Sequence, residues 1–250
     1  MKKVTFGILL SLFSLVVTAQ ESKIAQKSPS QITTVSYSKS NASAVSSGIN
    51  KKAKTTNVTT DVDDCDVNSP CFIVKDTSEQ VLSAINNGAS QKQTMNLIKN
   101  VVTPQFNFLL MTKYALGNNW KLATGEQQEK LVENFQKLLI YTYSSALSKF
   151  KGAKINITSQ NVSEKKSVVI SQVVLPNYSS DQSQPIRVEY DLARLSADKP
   201  WKAYDIKIEN ASLVTTYRNQ FNEIVQTKKI DGLIKQLESK VVSLQKVKAH

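Results

Sequence analysis

The chain has 250 residues and a formal net charge of +12, with 32 Lys and Arg against 20 Asp and Glu. Its only histidine is His250, so imidazole acid–base chemistry and the common His-containing metal sites are excluded from any folded interior. There is no Gly-rich phosphate loop and no acidic metal loop, and arginine is confined to Arg187, Arg194 and Arg218. The excess charge is therefore lysine charge. It favours anionic partners in general, without the arginine and interleaved aromatics of a sequence-reading nucleic-acid surface.

Met1-Lys2-Lys3, the apolar run Val4 to Val17 and the small-residue pattern Val17-Thr18-Ala19 predict a secretory signal peptide over 1–19. The run is shorter than the roughly 20 apolar residues a spanning helix needs. An exported chain is expected in the periplasm, with Cys65 and Cys71 paired in a small disulfide loop. Gln20 to Asp64 is rich in Ser, Thr, Asn, Lys and Ala, too poor in large apolar groups to offset the entropy of ordering. The domain layout expected is 1–19 signal peptide, 20–75 disordered linker with the cysteine loop, and 76–250 a single folded domain.

From Asp76 onward the pattern is periodic. Thr77-Ser78-Glu79 opens a helix to about Asn87, and Gln91 to Val102 forms a second. Thr103 with Pro104 starts a third helix, ending at Gly117. Thr124 and Gln127 form a capping box for a fourth that runs to about Phe150. Strands follow at Lys154 to Val162, Ser167 to Leu175, Ile186 to Leu192 and Pro200 to Ile208. Two apolar helical stripes close the chain, one from Leu213 to Val225 and one from Ile230 to Leu244. Helices on either side of a run of strands predict an α+β domain: a twisted antiparallel sheet of about four strands packed with about six helices.

The order of particular residues says more than periodicity does. Phe106-Asn107-Phe108, Met111, Ala115-Leu116-Gly117, Trp120, Ala123-Thr124, Gln127, Phe135, Tyr143 and Ala146-Leu147 are followed by Trp201-Lys202, Tyr204-Asp205, Ser212-Leu213-Val214, Tyr217-Arg218, Gln220-Phe221 and Asp231-Gly232-Leu233-Ile234. This succession, over roughly Glu79 to Leu237, resembles the MlaC or toluene-tolerance family of periplasmic phospholipid carriers. The resemblance implies helices and sheet around an apolar cavity for acyl tails, with phospholipid as cargo and no cofactor, metal or catalytic residue. It implies partners in an inner-membrane lipid ABC transporter complex and an outer-membrane lipoprotein–porin complex, and a part in outer-membrane lipid asymmetry.

Carried over onto this chain, the candidate lipid-binding or core positions are Phe106, Phe108, Met111, Leu116, Trp120, Phe135, Leu139, Tyr143, Leu147, Tyr190, Leu213, Val214, Tyr217 and Phe221. Arg218 is the candidate for a lipid phosphate, with a helix-surface ion pair as its plainer role. Helical apolar stripes by themselves describe an ordinary core equally well. Three positions depart from the pattern. Asn107 stands where many members have Asp, Asn210 where many have Gly, and Lys229 where a Gly often precedes Asp-Gly-Leu. A cavity-less adaptor, or a hydrolase using Asp205 and Glu189, are the rival readings.

Overall fold

The computed structural model describes residues 65–144, 146–176 and 184–247. The expected signal peptide and most of the expected linker lie outside the described residues. Helix α1 spans Pro70–Asn86 and starts earlier than the Thr77 opening expected, because Ser69 caps it through Phe72 N–H and Pro70 fits the first turn. Cys65 and Cys71 are joined, so the bridge ties the approach segment to the first turn of α1. Cys71 is fully buried there.

Helix α2, Gln91–Leu97, has a capping box made by Ser90 and Gln93. It continues as a wider turn over Ile98–Val102 and a tight one over Thr103–Gln105. Phe106 then turns extended and bridges Ala203, and Asn107 N–H donates to the Ala203 carbonyl at 2.8 Å. That contact interrupts the helix expected from Pro104. Helix α3, Phe108–Leu116, starts afresh with Asn107 as its cap, the Asn oxygen accepting from Leu110 N–H at 2.9 Å. Asn fills this role as well as Asp does.

Helix α4, Gly125–Ser144, carries the expected Thr124–Gln127 box, with bonds of 3.0 and 3.2 Å. It ends before Phe150, and a separate tight turn forms at Leu147–Phe150. Four strands then run as an antiparallel meander: β1 (Lys154–Val162), β2 (Lys166–Val174), β3 (Ile186–Ala193) and β4 (Lys202–Ile208). A fifth, β5 (Ala211–Ser212), is only two residues long and pairs with the end of β4. The turn between them, Glu209-Asn210, has φ of 48° and 67°, the mirror-image hairpin turn that suits strand twist. Asn210 thus takes a left-handed bend, which explains the Gly that many family members have at this position.

Helix α5, Leu213–Val247, holds both predicted C-terminal stripes in one span, broken by a kink at Lys229. The five-strand sheet and the kinked last helix account for the differences from the expected counts. The α+β class stands.

Buried apolar side chains fall into two clusters. One joins α3, α4 and both halves of α5 around Phe135, Leu131, Tyr217, Phe221 and Leu233. The other lies between α1 and the sheet and centres on Val74, Val169, Leu192, Trp201 and Ala203. Phe106 packs against both.

Candidate functional site

Strand register decides which sheet residues share a face. Val169 opposes Tyr190, which opposes Ile206, while Ser171 opposes Val188, which opposes Ile208. This face meets α1, since Val169 and Leu192 pack with Val74 of that helix. The opposite face carries Arg187, Glu189, Asp191 and Lys207, an ion-pair ladder with contacts of 2.6 to 3.0 Å. One side of the sheet is therefore apolar with neutral polar groups, and the other sets this charged ladder beside Val168 and Ile170.

The sequence-selected positions separate by depth. Met111, Leu116, Phe135, Leu139, Leu213, Val214, Tyr217 and Phe221 are all buried in the helical cluster. Phe106, Phe108, Trp120 and Tyr143 are half-buried against it. Leu147 is half-buried in the turn after α4. Tyr190 belongs to the sheet cluster instead. The structure brings the first twelve together around one helical core and places Tyr190 in the sheet cluster, on the face that meets α1; Phe106 packs against both clusters. Half-buried Tyr114, Tyr141 and Tyr204 border the helical cluster, and Ile73 and Ile157 border the sheet cluster. Tyr204 belongs to the succession quoted from sequence, but none of these was carried over as a site position. The strand alternation of Ile155 and Ile157 was the available signal for the sheet side.

The half-buried rings at the edge of the helical cluster leave apolar surface in reach of solvent, which a fully packed core would not. The rings in the helical cluster pack edge-on, Phe135 to Tyr217 at 4.9 Å and Phe135 to Phe221 at 5.2 Å. Tyr114 and Tyr204 meet the same way at 5.4 Å.

Three tyrosines of the two clusters stay neutral. Burial pushes the Tyr190 hydroxyl up, partly offset by hydrogen bonds with Ser171 and Ser78. Burial also raises Tyr143, and it raises Tyr217 well above the usual phenol value, with the neighbouring Tyr143 adding to the effect. The two hydroxyls are close enough to influence one another, but the Tyr217 hydroxyl lacks a well-formed hydrogen bond.

Arg218 is exposed, and its Nε donates to the Tyr114 carbonyl at 2.8 Å. It thereby satisfies one of the unpaired carbonyls in the last turn of α3, where a cation also suits the helix dipole. Its side chain lies over Gly117, whose φ is +55°.

Asp205, a member of the rival hydrolase pair, has its oxygens engaged by the fold. One accepts from Ile206 N–H and Val214 N–H at 2.9 and 3.0 Å, and the other from the Ser212 hydroxyl at 2.5 Å. Glu189 is held below the usual carboxylate range. Burial pushes it up, but hydrogen bonds from Lys207 and Arg187 outweigh that. Among the described residues there is no cluster of metal-binding side chains and no helix long and apolar enough to cross a membrane.

A groove of about 550 Å³ runs between the last turns of α1 and the start of β1, lined by Glu79, Leu82, Ser83, Asn86, Lys154 and Ile155 among others. It is open and substantially polar, and none of the residues singled out from sequence lines it. It does not suit acyl chains.

Three comparisons bear on this arrangement. The family model described as MlaC protein matches residues 75–239. The chain is 23% identical over 175 residues to the Haemophilus influenzae protein named intermembrane phospholipid transport system binding protein MlaC, covering 68% of this chain and 81% of that one. It also matches the solved structure of a phospholipid-binding protein from Ralstonia solanacearum in complex with a phospholipid. That match has a TM-score of 0.59 and 26% identity, and it covers 69% of this chain and 97% of the other.

Proposed function

The chain belongs to the MlaC family, and from that premise we propose that it is a periplasmic phospholipid carrier. The observation that carries this reading is the match, across nearly the whole of its solved relative, to a protein that holds a phospholipid. The half-buried aromatic and apolar side chains at the edge of the helical cluster support the same reading, because they offer apolar surface to a lipid tail.

The physical task explains why no catalysis is required. Each CH₂ moved from lipid into water costs about 0.8 kcal/mol, so an acyl tail of ~15 such groups costs on the order of 12 kcal/mol. A protein interior as apolar as the bilayer removes most of that barrier, and exchange at either end is then nearly balanced. In this reading Phe106, Phe108, Trp120, Tyr143, Leu147 and Tyr190 bound the acyl chains. Met111, Leu116, Phe135, Leu139, Leu213, Val214, Tyr217 and Phe221 form the wall behind them.

The carrier is exported by residues 1–19, and 20–75 tether and enter the lipid-binding domain at 76–250. It takes cargo between an inner-membrane ABC transporter complex and an outer-membrane lipoprotein–porin complex and so maintains lipid asymmetry. The name of the H. influenzae relative, an intermembrane transport binding protein, supports this.

Native mass spectrometry and organic extraction of the protein isolated from cells test the reading. A mass increment matching intact phospholipid is expected. A preparation that carries no lipid, and takes none from vesicles, would overturn it in favour of an adaptor.

A further inference from the structure

Large apolar side chains that stand well out in solvent are few among the described residues: Val67, Leu109, Leu122, Val162, Leu195 and Val242. Three of them share one end of the molecule. Val162 ends β1 and Leu195 sits in the connection from β3 to β4. These connections are fastened together, since Arg194 N–H donates to the Lys165 carbonyl at 3.1 Å and Arg194 Nε to the Glu164 carbonyl at 2.7 Å. Val67 lies inside the Cys65–Cys71 loop, which leads into α1. The first turns of α1 pack near Leu192, Trp201 and Ala203, whereas its last turn reaches Gly152 through Asn86. The disulfide loop is therefore at the same end of the sheet as the two connections.

The exposure is large for two of the three: 80% for Leu195 and 71% for Val67, with Val162 at 38%. A braced turn presents Leu195. The Arg194 guanidinium stacks 4.4 Å over the buried Trp201 ring and donates to the Ala197 carbonyl at 3.2 Å. Cations surround the apolar tips: Lys165, Lys166, Arg194, Lys199 and Lys202, against Asp66, Glu164 and Asp198. Asp198 is itself matched by Lys199 at 3.2 Å.

Apolar tips on rigid turns, with lysines between them, fit the interfacial layer of a bilayer. Apolar groups enter the boundary of headgroup and acyl chain while ammonium groups stay at the phosphates. Lysine is depleted in protein–protein interfaces, which argues against a protein partner at this end. We propose that this end of the sheet docks directly on an anionic phospholipid bilayer, with Leu195, Val67 and Val162 dipping into the interface and Lys165 and Lys166 beside the phosphates. The proposal extends the carrier reading by bringing the protein to the lipid surface itself.

Co-sedimentation with vesicles tests it, using the protein in the form recovered from cells. Wild type and variants share the N-terminal segment, so differences between them report on this end alone. Binding to vesicles of phosphatidylethanolamine and phosphatidylglycerol is expected to exceed binding to phosphatidylcholine vesicles and to fall with added salt. Each lysine neutralised in Lys165→Gln/Lys166→Gln is expected to weaken binding about fivefold. Leu195→Asp is expected to weaken it as well, and Leu122→Asp, an exposed leucine after α3, to leave it unchanged. Wild-type binding that Leu195→Asp does not reduce, or that Leu122→Asp reduces equally, would overturn the proposal, as would no binding to anionic vesicles. Bound lipid measured by mass spectrometry on the same proteins keeps the two readings apart. A variant that loses docking but keeps its cargo leaves the carrier intact, whereas wild type that docks without cargo would sink the carrier reading alone.

Discussion

Lys229 is the most strained residue in the described chain. Its φ of 59° and ψ of −173° fall in a region that is essentially reserved for glycine. The same corner needs Gly232, because a Cβ there would come within 2.2 Å of the Lys228 Cβ. Lys229 is exposed and gives up little packing on replacement. Strain of this kind costs about 1–3 kcal/mol, and glycine gives back about 0.5–1 kcal/mol through its freer unfolded chain. Lys229→Gly should therefore raise stability by about 1 kcal/mol, read as a higher denaturant midpoint at unchanged slope. Asp205 is the opposite case, a residue with every oxygen in use. Asp205→Ala strands the Val214 N–H and the Ser212 hydroxyl at the start of α5. The expected loss is about 3 kcal/mol in the same experiment, as buried groups lose a charged acceptor. Both residues stood out in sequence, but for different reasons. Lys229 was visible as a departure from a glycine position. Asp205 was visible only as a strand carboxylate, and nothing in its neighbours told capping from catalysis, because its partner Val214 is reached only after the chain turns through β5.

At the scale of elements, the charged ladder on β3 and β4 sets the acid behaviour of the sheet. Lys207 lies 2.6 Å from Glu189 and 3.0 Å from Asp191, and these carboxylates are only 14–15% exposed. The two respond differently. Glu189 ends below the usual range because Lys207 and Arg187 both bond to it. Asp191 ends above its usual value through burial, which the hydrogen bond and charge of Lys207 only partly offset, with smaller repulsions from Asp205 and Glu189. Glu189 thus contributes stability above its unfolded value that is lost as pH falls through its lowered folded value. Asp191 works the other way, and its share is lost as pH rises through its raised folded value. Lys207→Met removes the shared cation and leaves the carboxylates facing each other. Its cost at neutral pH should be about 2 kcal/mol, discounted from a fully buried pair for the partial exposure. That deficit should shrink as pH falls through the carboxylate range, where protonation ends the repulsion. Chemical denaturation of both proteins over that range checks it, and a deficit that stays constant with pH would contradict it.

The strands themselves were the most legible part of the fold. The expected range Lys154 to Val162 is the observed β1, because alternating Ile and Val beside polar residues leaves little choice of face. Helix limits were less legible where a tertiary contact decides them. Phe106 is extended because Ala203, far along the chain, offers its carbonyl to Asn107. The candidate site was the least legible. Met111, Phe135 and Phe221 sit at helical spacing, and that spacing reports which face turns inward but not whether side chains or cargo fill the space. Depth distinguishes them: those three are buried inside the helical cluster, while Phe106, Trp120 and Tyr143 are half-buried at its edge.

For the whole molecule, binding cargo has a thermodynamic consequence. A solid core gains nothing from cargo, whereas on the carrier reading acyl chains cover the half-buried rings that edge the helical cluster. Lipid that binds the folded chain and not the unfolded one adds RT ln(1 + [L]/Kd), about 2.7 kcal/mol when lipid is at a hundred times its Kd. In a chain of this size each kcal/mol moves Tm by about 2–4 °C. Stripping the cargo should therefore lower Tm by about 5–10 °C, and reloading from vesicles should restore it. The delipidated protein should also bind a hydrophobic dye more strongly, since the half-buried rings at the edge of the helical cluster then face water. Differential scanning calorimetry of matched loaded, stripped and reloaded samples makes the comparison. An adaptor with a solid interior would show one Tm through the whole cycle, because nothing in it would have been emptied.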